Sequence, residues 1–164
     1  MDLKSFDQGF AHELQNRAFA LRSMSGVARR LRGDGRTDLP FWEGYAELER
    51  FNVPRYAEAA RRWNLSMQPS PWTKARAALV GSTPKFLLRR LLEFAHPKTV
   101  EYLEDLRRLR DAGPSDGRDF LEYMVQQEAV QIQMMKLALE RRYSEIPTEL
   151  DAFFLAHQER NLFG

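Results

Sequence analysis

SDGRDFLEYMVQQEAVQIQMMKLALERRY, residues 115–143, is the stretch from which the rest of the chain is read. Leu121, Val125, Ile132, Met135 and Leu139 recur at spacings of four, seven, three and four, the pattern of one buried helix face. Glu128 fills the gap in that stripe, and Gln131 stands one turn further along on the same side. A carboxylate on such a face must be ion-paired, protonated or bound to a metal. The stretch therefore predicts a long helix from about Ser115 to Tyr143 and a polar layer inside whatever that helix packs against.

Working outward, three more long helices are expected. The first runs from about Lys4 to Arg32 with Phe6, Phe10, Leu14, Leu21, Met24, Ala28 and Leu31 on one side, and Gly33 suits its left-handed end. Glu13 and Arg17, four apart beside that stripe, read as a helix-surface ion pair. The second opens near Asp38 to Pro40 and continues to about Asn64, with Phe41, Tyr45, Leu48, Glu49, Asn52, Tyr56, Ala60 and Trp63 inward. Pro54 predicts a kink or restart there, which would leave Asn52 either a local cap or a ligand. Ser70 and Pro71 begin a short helix carrying Trp72 and Ala75 to Val80 within the one long connection. The third long helix starts at Thr83 and Pro84 and reaches about Asp111, with a second kink expected at Pro97. A short helix after Pro147, with Leu150, Phe153, Phe154 and Leu155, would cap one end of the core or offer Phe153 or Phe154 to another subunit.

Composition narrows the chemistry. At 164 residues and 43% apolar content the chain supports one sizeable core, so a single domain over residues 1–164 is expected. Cysteine is absent, which removes disulfides and thiolate sites; with no signal-peptide core in Met1, Asp2, Leu3 and Lys4, the expected compartment is the cytoplasm. No apolar run approaches a membrane span. A net charge of +2 from 25 basic and 23 acidic residues requires no nucleic acid, because the arginine doublets are spread over every helix among acidic neighbours. There is no glycine-rich phosphate loop and no triad of serine, histidine and aspartate.

Four amphipathic helices joined by a short, a long and a short connection must pack on one another, and the one long crossover between the second and third is the pattern of a ferritin-like four-helix bundle. On these features the chain resembles the ferritin-like superfamily over nearly its whole length. That resemblance implies an all-α antiparallel bundle and, in active members, two iron or manganese ions held by glutamates and Glu-x-x-His pairs. The corresponding residues here would be Glu13, Glu49 with Asn52, Glu93, and Glu128 with Gln131, at separations of 36, 44 and 35 residues. Asn52 and Gln131 stand where the family has histidine, and amide oxygens are weak metal ligands. The only Glu-x-x-His is Glu93 to His96, on the third helix.

Three readings follow. In one, Glu13, Glu49, Glu93 and Glu128, helped by His96, bind iron or manganese for oxygenase-like oxidation of a small substrate, with Tyr45 or Tyr56 donating hydrogen bonds nearby. In another, the scaffold has lost its metal, and Glu49 and Glu128 are held by Asn52, Gln131, Arg17 and the tyrosines in a closed hydrogen-bonded layer. The protein is then a binding or assembly module, as a homodimer, a larger homo-oligomer or with a small-molecule ligand. In the last, His12 is an axial haem ligand, or Trp42, Tyr45, Tyr56, Trp63 and Trp72 line a small-molecule pocket.

Overall fold

Helix formers dominate the segments between the proline and glycine punctuation, and the described residues fold accordingly into six α-helices with no strand among them. The structure is a computed structural model that describes residues 5–163; the expected helix start at Lys4 and the reading of residues 1–4 lie outside them. We label the helices α1 (Phe6–Leu31), α2 (Leu39–Arg62), α3 (Pro71–Gly81), α4 (Leu88–Ala112), α5 (Arg118–Leu139) and α6 (Ile146–His157). No helix among the described residues is long and apolar enough to cross a membrane.

Local chemistry sets most of the ends. Ser5 caps α1 by accepting from the Gln8 amide, and Ser70 caps α3 by accepting from that of Thr73. Asn64, in the left-handed region at φ 52°, closes α2 while the Leu65 amide reaches back to the Ala60 carbonyl at 2.8 Å. Arg141, at φ 61°, ends α5 in the same way, with the Arg142 amide on the Leu137 carbonyl; this stops the helix four residues short of Tyr143. Thr83 and Pro84 do not open α4 directly, since a 3-10 turn at Lys85–Leu87 comes first.

Neither proline restarts its helix. Both α2 and α4 continue unbroken through Pro54 and Pro97. Each proline is exposed, and so are Arg50 and Glu93, four residues earlier. On an exposed stretch of helix the carbonyl that loses its donor to proline can turn to solvent, which lowers the cost of carrying the helix through.

α1 lies along α2 and α3, α4 along α5, and α2 against α5 and α6, while α1 and α4 meet over a shorter length. The crossover helix α3 comes close to α1 because Gly26 and Gly81 face each other: a Cβ on Gly26 would stand 3.3 Å from the Gly81 Cα. One continuous core results, with Phe10, Phe41, Leu106, Phe120 and Ile146 all fully or almost fully buried. Trp63 belongs to it, packed edge-on against Phe6 and Phe10. α6 turns its aromatics inward: Phe153 is buried over Tyr123 and His157, and Phe154 is half-buried against Phe51, so these rings close their own bundle.

Candidate functional site

At mid-height of α1, α2 and α5 the core becomes polar. Glu13, Arg17, Glu49, Asn52, Gln127, Glu128 and Gln131 are all buried there. Arg17 stands at the centre and is no surface residue. Its Nη1 donates to Glu49 Oε1 and to Gln127 Oε1, and its Nη2 to Glu128 Oε2, each at 3.0 Å. Its Nε is 3.0 Å from Glu13 Oε1, an ion-pair contact to which the N–H is not aimed as a hydrogen bond.

Amides and phenols complete the layer. Gln131 Nε2 donates to Glu49 Oε1 at 2.6 Å, and Gln127 Nε2 to Glu128 Oε2 at 3.1 Å. Gln127 Oε1 also accepts from Asn52 Nδ2, whose own carbonyl oxygen takes the Tyr123 hydroxyl. Glu13 receives two hydroxyls, from Tyr56 at 2.7 Å and Tyr102 at 2.6 Å, and Tyr45 donates to Gln131 Oε1 at 3.1 Å. Asn52 is thus no local cap but a buried link between α2 and α5. Among the described residues, Glu49 Oε2 is the one carboxylate oxygen buried without a hydrogen-bond partner.

The electrostatics are unbalanced: three carboxyls share one guanidinium. Burial pushes the Glu49 and Glu128 carboxyls up to about 7 against the pull of Arg17, with Glu13 adding repulsion. Burial also disfavours charge on Arg17, but Glu13, Glu49 and Glu128 outweigh it and raise its pKa above the ordinary value. Tyr45, Tyr56 and Tyr102 are raised by burial and then by the nearby carboxylates, so all three remain hydroxyl donors.

Glutamates that ordinarily titrate near 4.5 and do so near 7 when folded bind protons more tightly in the native state. Their contribution to stability is complete below the unfolded value and is lost as pH rises through about 7. Urea unfolding should therefore show greater stability at about pH 5.5 than at about pH 8, by on the order of 2 kcal/mol. The difference should largely vanish in the double variant Glu49→Gln, Glu128→Gln; an equal difference in wild type and double variant would contradict the assignment.

Two of the expected ligands lie elsewhere. Glu93 is exposed and paired with Arg89 at 3.0 Å, and His96 is half-buried and takes no part in the layer. The reason is register: α4 reaches the layer with Tyr102, nine residues beyond Glu93, which at 1.5 Å per residue is about 13 Å along the axis. Glu93 also sits on the solvent side of α4, whose inward positions are Leu88, Leu92, Leu103, Leu106 and Leu109.

The residues present do not fit a two-metal centre. A divalent ion would need carboxylate oxygens at about 2.0–2.2 Å, and the point where Glu49 and Glu128 converge is taken by the Arg17 guanidinium, itself a cation. His12 is exposed, its ring 6.3 Å from that of Tyr102, which does not suit an axial haem ligand. Trp72 is 70% exposed and Trp63 is core, so the five-aromatic pocket does not form as a set.

Beside the layer is a cavity of about 400 Å³ bounded by α1, α2, α3, α4 and α5. Glu128, Arg17, Tyr45 and Tyr102 form its polar side; Met24, Phe41, Trp42, Leu92, Phe94 and Met135 supply apolar wall. Comparison with protein-family models, curated proteins and solved structures finds no match to this chain.

Proposed function

We propose that this chain is a ferritin-like bundle in which an arginine-centred ion-pair layer replaces the metal centre, and that it works as a small-molecule-binding protein, not an oxidoreductase. Two helix pairs, α1 with α2 and α4 with α5, joined by the long crossover that carries α3, support the scaffold reading. The observation that carries the function is the cavity ending on Glu128. At about 400 Å³ it lies within the range of small-ligand sites, with mainly apolar walls and a few convergent polar groups at one end. The layer serves as its rigid floor, since Arg17 and the amides lock Glu49 and Glu128 from three helices.

A neutral solvatochromic dye tests this. Saturable one-to-one binding with a blue shift is expected for the wild type. Ala95 lines the cavity from a half-buried position on α4, so Ala95→Trp should fill it without breaking the core. The variant should bind the dye about tenfold more weakly, equivalent to about 1.4 kcal/mol. Undiminished binding in the variant, or none in the wild type, would overturn the reading.

A further inference from the structure

We propose that the cavity takes a molecule with an ammonium group at its inner end, an apolar body and an anionic outer end. This rests on the cavity being the ligand site, and it assigns the chemistry of that ligand. At the inner end three carboxyls face one guanidinium, whose two terminal nitrogens are committed to Glu49, Gln127 and Glu128. Three of its four terminal N–H groups are thereby used, which leaves one on Nη2 against an excess of carboxyl oxygens. Glu128 Oε2 is taken by Arg17 and Gln127, whereas its Oε1 accepts no hydrogen bond among the described residues, and Glu128 lines the cavity. An entering ammonium supplies the missing positive charge at that oxygen. The hydroxyls of Tyr45 and Tyr102 are already used on Gln131 and Glu13, leaving their rings, with that of Trp42, to meet the cation.

The outer part of the lining carries the opposite sign. Arg76, from α3, lies with its guanidinium 5.1 Å from the Phe19 ring centre, and the Lys98 ammonium, from α4, is 4.7 Å from that of Phe94. Both are exposed, both line the cavity, and neither has a carboxylate partner among the described residues. The apolar part of the same lining includes Met24, Phe41, Leu92 and Met135. A zwitterion with separated charges satisfies both ends while burying a hydrocarbon middle.

Binding also moves a proton. Glu128 faces Glu13 and Arg17 from α1, Tyr45 and Glu49 from α2, and Tyr102 from α4. An ammonium at Glu128 favours the carboxylate, so the proton that burial holds there near neutrality passes to the buffer.

Titration calorimetry with 8-aminooctanoate, octylamine, octanoate and 1-octanol decides the matter. The zwitterion should bind tightest, octylamine next and octanoate least, and at about pH 7 the zwitterion's binding heat should vary with the ionisation heat of the buffer. Glu128→Gln should weaken 8-aminooctanoate about tenfold while leaving 1-octanol unchanged, and Arg76→Gln with Lys98→Gln should bring it down to the level of octylamine. Octanoate binding as tightly as the zwitterion, or unchanged affinity in Glu128→Gln, would overturn the charge assignment. If 1-octanol binds and the amines show no preference, that assignment alone fails; exclusion of all four overturns the cavity reading itself.

Discussion

Arg17→Met is expected to destabilise the protein by about 3–5 kcal/mol, the range for removing one partner from a buried charge network. Methionine fills much of the same space, so the loss comes from charge and hydrogen bonding and not from a cavity. Without the guanidinium, Glu13, Glu49 and Glu128 confront one another in the core, and Glu49 Oε1, Gln127 Oε1 and Glu128 Oε2 each lose a donor. Protonation should relieve part of this. The deficit measured by urea unfolding is therefore largest at about pH 8 and shrinks toward about pH 5.5, as Glu49 and Glu128 take protons. A variant within about 1 kcal/mol of wild type at the higher pH would mean that the layer is not organised around this residue.

The second large effect separates charge from shape at Glu128. Glu128→Gln retains an oxygen able to accept from Arg17 Nη2 and Gln127 Nε2 and is expected to cost no more than about 1 kcal/mol. Glu128→Leu offers neither donor a partner, leaves both buried, and should cost about 2–4 kcal/mol despite the apolar surroundings. Chemical denaturation of the two variants side by side checks this. Equal stability would show that the donors are satisfied some other way.

How much of this was legible in the sequence differs from residue to residue. The helices declared themselves through Ser70 with Pro71, Gly33, and the apolar periodicity around Leu121 and Met135, because caps, breakers and stripes are local properties. Glu128, Glu49 and Gln131 were legible too, since a polar residue interrupting an apolar stripe has no local explanation. Arg17 was legible only in part. Four residues from Glu13, it has the spacing of a surface ion pair, and nothing in that spacing distinguishes an exposed pair from one covered by α2 and α5.

Tyr102, Tyr123 and Gln127 carried no local signal at all. Tyrosine among leucines reads as core, and Gln127 lies one residue off the stripe that Glu128 occupies. It is buried because α5 is covered by α2, α4 and α6 and not along one face only. Glu93 shows the opposite failure. Regular separations between glutamates suggested a common level, but the 3-10 turn before α4 and the length of the crossover set the register of that helix, and neither is fixed by counting residues. Whether Pro54 and Pro97 restart their helices is likewise not decided by the residue type alone, and neither does.

The proposal that Arg17 stands in place of a metal centre is tested most directly by elemental analysis of protein purified from cells grown with added iron and manganese. Folded, stable protein with no bound iron or manganese is the expected result. Near-stoichiometric metal that disappears in Glu128→Ala would contradict it.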